Sequence, residues 1–476
     1  MNAAVIDDCR LIANRSANRS ANIFIIQTKL ERAMKFSTQI LMVFVLSLLT
    51  MASHVRATDE VPGAKQKQPV AIVGATVHPV AAAPIENATI VFADGKITAL
   101  GAGVVVPQGA EVIHLAGQHV YPAMFETYSQ LGLTEIGAVP ATIDTSETGD
   151  VNPNVEALVA VNPDSELIPV TRSNGVLLAV SAPSGGLVSG TSAVLQLDGW
   201  TFEDLSLKDK AAMQVNWPSL RRSRFRRGTD QDESKLIKRY EEQINGLKEI
   251  FDETRAYQAG QQVRGAEQPL DLRLEAMIPV VNGELPMMVA ADSLNQIQSA
   301  VAFAAEQNAK LIIIGGYDAP LCAELLKKHN VPVIVSAVQR RPLRRNDAFD
   351  TPYTLPARLA AAGVPFCISS SGRASTWNTR ILPIQAAMAA GYGLDREEAV
   401  KAITLYPAQI MGVDDQVGSL EVGKHATLFV CDGDPLEIET QVNHAWVQGK
   451  KVDLSDKHKR LYQKYQKKYE QLENEK

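Results

Sequence analysis

The side chains that most often hold a catalytic metal are histidines, and this 476-residue chain has eight: His54, His78, His114, His119, His329, His425, His444 and His458. Its four cysteines, Cys9, Cys322, Cys367 and Cys431, form neither a CxxC pair nor a disulfide ladder. Oxygen donors that a hard cation such as Mg²⁺ or Ca²⁺ could use stand at Glu126, Gln130, Asp292 and Asp318. Ser369, Ser370 and Ser371 are three adjacent hydroxyls, but a serine nucleophile needs a base within hydrogen-bond reach and no Gly-x-Ser-x-Gly elbow is present. Cys367 sits inside an apolar run, where an inert buried thiol is expected. The glycine-rich stretch from Ser184 to Gly190 lacks the lysine of a phosphate loop. The run Arg221-Arg222-Ser223-Arg224-Phe225-Arg226-Arg227 reads as a solvated loop or a site for anionic surfaces. The chain as a whole is acidic, with a net charge of -6, which argues against a nucleic-acid partner.

The elements that must position these groups fall into three kinds. Met34-Lys35 opens a short basic region, Ile40 to Leu49 is apolar but too short for stable membrane insertion, and Val55-Arg56-Ala57 offers a cleavage site. Residues 1–57 are therefore expected to be an upstream stretch plus a signal peptide (34–57). The mature protein would start near Thr58 and be periplasmic or secreted. Cys9 would leave with that segment, so an odd number of cysteines remains and at least one thiol is free. Residues 58–68 read as a linker. From Val70, short alternating strands with a turn at Asp94-Gly95 predict a β module, and similar strands return around Thr427–Val430 and His444–Val447. The two ends are expected to pair into one small sandwich.

Between them the pattern becomes strand then helix. Apolar runs at Val176–Val180, Ala193–Leu197, Met287–Val289, Leu311–Ile314, Val331–Val335 and Pro365–Ile368 alternate with helical spacings over 231–258, 293–306, 319–329 and 355–362. This is the pattern of an α/β chain with a (β/α)8 barrel of parallel strands, its fourth strand indistinct and sought near 270–282. The charged tail carries Leu461, Tyr462, Tyr465, Tyr469 and Leu472 at helical spacing, a stripe expected to dock on the protein's own body.

Several ordered phrases give the chain a resemblance. Asp94-Gly95-Lys96-Ile97, Val112-Ile113 and Tyr121-Pro122 near one end resemble the amidohydrolase superfamily, particularly its imidazolonepropionase-like branch. So do Ala402-Ile403-Thr404, Pro407-Ala408, Val417-Gly418-Ser419-Leu420-Glu421 and Asp432-Gly433-Asp434-Pro435-Leu436 near the other. The resemblance covers most of residues 69–452. It implies a distorted (β/α)8 TIM barrel with a small β-sandwich formed by both ends of the mature chain. The expected segments are 69–120 and 412–453 for the sandwich, 121–411 for the barrel and 454–476 for a helical tail. The chemistry it implies is hydrolysis of non-peptide C–N bonds, with water activated by zinc or another divalent metal at the carboxyl ends of the strands.

The ligand positions that the resemblance implies are not filled by ligands. The His-x-His pair after the first strand becomes Tyr128 and Gln130, preceded by Glu126 where the family has Asp. The later histidines become Ala290, beside Asp292, and Gly315, and the proton-relaying Asp becomes Ser371. Only His329 falls within the barrel segment, on the side away from the expected active face, so no local shift of alignment supplies a multi-histidine site. No cofactor is expected. Three readings stay open: a non-catalytic exported binder of a small neutral or cationic molecule; an active cyclic-amide hydrolase with an unusual or oxygen-ligand metal site; and a supporting subunit, as a homo-oligomer or beside a histidine-bearing paralogue.

Overall fold

A computed structural model describes residues 60–220, 233–264, 268–370 and 373–474. The expected signal peptide, the run Arg221–Arg227 and Ser371 lie outside these residues. The chain begins with β1 (Val70–Val77), β2 (Ile85–Ala93), β3 (Lys96–Gly101), β4 (Glu111–His114) and β5 (His119–Pro122). Asp94 and Gly95, with φ of 50° and 78°, make the tight hairpin between β2 and β3, a backbone that favours glycine at the second place. Next come β6 (Met124–Ser129), β7 (Val176–Ser181), β8 (Val188–Gln196), β9 (Ser206–Val215), β10 (Met287–Ala291), β11 (Leu311–Gly315), β12 (Val333–Ser336) and β13 (Phe366–Ser369). The chain returns with β14 (Leu428–Cys431), β15 (Val442–Val447) and β16 (Lys450–Lys451).

The first sheet joins both ends of the chain. Its order is β16-β15-β14-β5-β1-β2-β3, with β4 added to β1. β14 runs antiparallel to β5, pairing Val430 with Val120. Ile72, Ile90, Phe92, Val430 and Trp446 pack into one buried core, so the hydrophobic effect holds the two ends together. Pro122 still belongs to this sheet, opposite Leu428, whereas Met124 already pairs with Val176 in the second.

β6 to β13 form that second sheet, in chain order, as a distorted barrel. The run from β9 to β13 is parallel, and its strands are continuous apolar runs because both faces are covered; Leu311 to Gly315 are all buried. The other half differs from the regular alternation read in the sequence. β8 is antiparallel to both β7 and β9. Residues 182–187, which join β7 to β8, are too few for a helical crossover, so the chain turns straight back. The fourth strand is Ser206–Val215, and the stretch searched for it is a helix, Leu272–Val281, capped by Asp271. The sequence misled here because β9 begins polar (Ser206, Lys208, Asp209, Lys210) and only its second half is buried.

The helices cover the barrel as amphipathic spacing requires. Leu294–Gln307 starts in a capping box between Ser293 and Gln296 and buries Ile297, Val301 and Phe303. Glu233–Arg264 is buried on the barrel only from Leu247 onward. The segment expected to be a linker is tied down: the Gly63 amide donates to Asp198 at 3.0 Å, and Glu60 pairs with Arg172. The tail corrects another expectation. Lys457–Asn474 is a helix, but none of its residues is buried, so its tyrosine stripe does not dock on the body.

Candidate functional site

The eight strands are not zipped all the way round. The hydrogen-bonded order starts at β13 and ends at β6. At this seam the Phe125 amide donates to the Ile403 carbonyl at 2.8 Å and the Ile368 amide to Ala402 at 2.9 Å, so the following segment caps the two strand edges. Glu126 spans the gap. Its Oε1 accepts from the Tyr128 amide at 3.0 Å and from the Ser369 hydroxyl, and its Oε2 accepts from the Ser370 amide at 2.8 Å. Thr127 and Cys367 meet beside it, Oγ1 to Sγ at 3.5 Å.

Glu126 is fully buried and no cation is among the groups that act on it; burial pushes its carboxyl above the usual range against the pull of the hydroxyl and amide donors around it. When protonated it can donate to Ser369, whose hydroxyl then turns toward the Tyr128 carbonyl at 3.5 Å. Glu126, Ser369 and Ser370 thus fasten the barrel and do not line its mouth. The thiol of Cys367, buried here, is pushed up to about 12, which makes it an inert core group. Tyr128 is also packed in the barrel core.

Across the mouth, at the carboxyl ends of β10 to β12, aspartates meet arginines. Asp292 follows β10; its Oδ1 accepts from Arg340 at 2.8 Å and from the Tyr317 amide at 3.3 Å. Asp318 follows β11 and is almost fully buried; it pairs with Arg344 and accepts from the Leu294 amide at 3.0 Å. Asp347 accepts from the Tyr317 hydroxyl at 2.8 Å and from the Arg344 amide at 2.9 Å. Both guanidiniums lie over the Tyr317 ring, at 5.1 Å and 5.9 Å from its centre. The arginines come from Arg340-Arg341-Pro342-Leu343-Arg344-Arg345, the loop after β12. The sequence reading had missed this run, although a cluster of bases just past a barrel strand was a usable signal.

Gly315 settles whether a ligand side chain fits at its place. Its φ is 99°, and a Cβ built there would stand 2.5 Å from Asp292 Oδ1. A histidine at this position would collide with the carboxylate that Arg340 holds. Ala290 is part-buried in β10, opposite Ile314. Gln130 donates to Ser184 at 3.1 Å. The four oxygen donors considered from the sequence are therefore each engaged with a different partner. Among the described residues no three His, Cys, Asp or Glu side chains group to hold a metal. The residues present do not fit the divalent metal that the family resemblance implies.

Two cavities frame the barrel. The larger, about 1220 Å³, opens among Lys208, Lys310, His329 and Pro365 at the amino ends of the strands, away from the mouth. His329 follows the helix Ala323–Lys328 and lines this cavity. Lys208 donates to the Met411 carbonyl at 2.8 Å, which gives it a structural task at a helix end. The smaller, about 370 Å³, lies just outside the mouth, lined by Gln130, Thr134, Ile143, Thr376 and Trp377. Among the described residues no ionisable side chain lines it, and the buried Thr134 hydroxyl has no hydrogen-bond partner among them. The closest histidines are in the first sheet, where His78 Nε2 lies 3.0 Å from His119 Nδ1; burial and the second ring depress His78 to about 4.

Comparison with known proteins shows what the chain is similar to. Residues 289–454 match the model of the amidohydrolase family. The chain is similar to amidohydrolase TasK of Hapsidospora irregularis, 21% identical over 390 residues, covering 77% of this chain and 39% of that protein. It is also similar to imidazolonepropionase of Syntrophobacter fumaroxidans, 37% identical over 82 residues, covering 17% of this chain and 19% of that one. The chain thus spans well under half the length of each of these two relatives. A crystal structure of an amidohydrolase from Thermotoga maritima shares the fold at a TM-score of 0.71 and 23% identity, covering 81% of this chain and 99% of that one. The chain thus resembles the amidohydrolase family over residues 289–454 and has the fold of the Thermotoga maritima amidohydrolase.

Proposed function

We propose that this protein is an exported, non-catalytic member of the amidohydrolase superfamily that binds a small uncharged molecule beside the barrel mouth. The observation that carries the reading is at Gly315. The backbone there has no room for a ligand side chain, because the Asp292–Arg340 pair occupies the space. A side chain there would adopt a strained backbone, φ 99°, and would force the Asp292 carboxylate away from where Arg340 holds it. The positive charge that a dication would bring is supplied instead by two guanidiniums, each already answered by a carboxylate. An oxygen-ligand site is disfavoured because Glu126, Gln130, Asp292 and Asp318 are turned to separate partners.

The Gln130–Thr134–Trp377 cavity supports the ligand class. Its described lining offers an amide, a hydroxyl and a half-exposed indole face, and carries no charge to hold a carboxylate. A flat neutral molecule with a donor and an acceptor suits it, and Trp377 would tolerate a cation. Metal analysis of the purified protein, with and without added Zn²⁺, should find no stoichiometric transition metal. A thermal-shift screen of neutral heterocycles should give hits that vanish in Gln130→Ala/Trp377→Ala. Stoichiometric zinc bound near Tyr128 and Ala290, or turnover of a cyclic amide, would overturn the reading.

A further inference from the structure

We infer that the C-terminal helix of one chain seats in the acidic loop of a second copy, and that the exchange is reciprocal. The helix Lys457–Asn474 is about 27 Å long at 1.5 Å per residue and stands clear of the body. Asp456 caps it, its Oδ1 accepting from the His458 and Lys459 amides, and Arg460 ties its first turn to Glu166 at 3.2 Å. Beyond Arg460 every described residue is exposed, including Leu461, Tyr462, Tyr465, Tyr469 and Leu472. The three tyrosines are each more than half exposed. Five such side chains on one face of an unpacked helix lack the burial that ordinarily makes an amphipathic helix stable. Lys457, Lys464 and Lys468 recur at spacings of seven and four, so they form a row along one flank of the stripe. Lys468 lies 5.9 Å from the Tyr465 ring, consistent with that flank.

The complementary surface is on the same chain. Residues 97–171 contain no lysine or arginine, and the loop after β6 carries Glu135, Asp144, Glu147, Asp150, Glu156, Asp164 and Glu166. A cleft of about 610 Å³ in that loop is walled by Asp144, Glu147, Glu156, Val155 and Val159. Glu156 is answered by Lys210 at 2.6 Å, but Asp144, Glu147 and Asp150 form no ion pair among the described residues. Val159 stands exposed in its wall. A basic-flanked apolar stripe therefore faces an acidic cleft that sets Val155 and Val159 beside Asp144 and Glu147. The chain's own helix begins beside this loop at Glu166 and leaves the cleft empty of it, so a second copy is the occupant whose chemistry fits. Because both halves are on every chain, a two-fold pair makes the contact twice.

The test is sedimentation equilibrium of the full-length protein from about 1 to about 100 µM, at low and high salt. The expected result is a dimer that weakens at least about tenfold in high salt. Chains with Lys464→Glu/Lys468→Glu, or with Asp144→Lys/Glu147→Lys, should each be monomeric alone. Mixing the two should restore a dimer, since each reversed surface then meets its complement and each native surface its own. That restoration also shows that both variants are folded. A wild type that stays monomeric throughout, a dimer indifferent to both reversals, or a mixture that stays monomeric would overturn the proposal. So would a monomer that binds phosphatidylglycerol vesicles through the same lysines, which would assign the stripe to an anionic lipid surface.

Discussion

At the floor of the barrel Arg172 is 1% exposed, and at the seam Glu126 is 0% exposed, yet the two are surrounded very differently. Arg172 meets Glu60 and Asp198 and donates to the Leu197 carbonyl at 2.9 Å and the Asp453 carbonyl at 3.1 Å. Asp198 in turn is held by Lys450 at 3.0 Å. Glu126 has hydroxyl and amide donors only. A buried charge has to be paired or neutralised. The floor uses pairing, and so joins the first described residues, the barrel and the strand at Lys450 through one guanidinium. The seam instead surrounds its carboxyl with neutral hydroxyl and amide donors, and burial raises its affinity for a proton.

The largest effect should come from breaking the floor. Arg172→Ala leaves Asp198 buried with only Lys450 as a cation, and removal of one partner from a buried pair costs about 3–5 kcal/mol. Urea unfolding should show that loss; a change under about 1 kcal/mol would mean that water already reaches the node. Glu126→Gln should cost about 1 kcal/mol at acidic pH, because the amide nitrogen cannot accept from the Tyr128 amide as Oε1 does. Its pH dependence sharpens the contrast. A carboxyl raised in the folded state holds its proton after the unfolded chain has lost it, so wild-type stability falls as pH climbs above about 4.5. The variant lacks that fall, so its deficit should shrink with rising pH; a deficit that grows would mean that Glu126 is stabilised as the anion. The smallest effect belongs to the mouth. Arg344 is half exposed, so Arg344→Ala should cost about 1 kcal/mol or less and leave Asp318 with the Leu294 amide. A larger loss would show that the mouth pairs act as the floor does.

The parts of the molecule visible in the sequence were those whose residues answer to one repeating demand. Leu311 to Ile314 and Val333 to Val335 are buried on both sides, and their unbroken apolar runs say so. The joined ends were visible because Asp94-Gly95 and the alternating strands around them follow hairpin chemistry. β9 was hidden because Lys208 to Lys210 begin it outside the core, and nothing local reports that β8 runs backwards. At the site, the motifs locate Glu126, Tyr128, Gln130, Ala290 and Gly315 along the chain. Their surroundings are not legible there, since Asp292 and Arg340 are far apart in the chain and meet only through the barrel. Tyr128 stands at an expected ligand position but is buried; side-chain direction along the distorted β6 decided that, and register shifts in β6 cannot be read from a motif.

The backward strand has a consequence for how the molecule assembles. β7, β8 and β9 are neighbours in the chain and in the sheet, joined by residues 182–187 and 197–205. A parallel barrel strand must wait for its crossover helix before it finds a neighbour, whereas these three close short loops against one another. This meander also carries some of the most buried residues of the barrel, among them Leu178, Val180, Val194 and Met213. Its short loops make it the expected nucleus, with β6 added on one side, β10 on the other and the seam at Glu126 closed last, an order that φ-values at Val180 and Val194 would check.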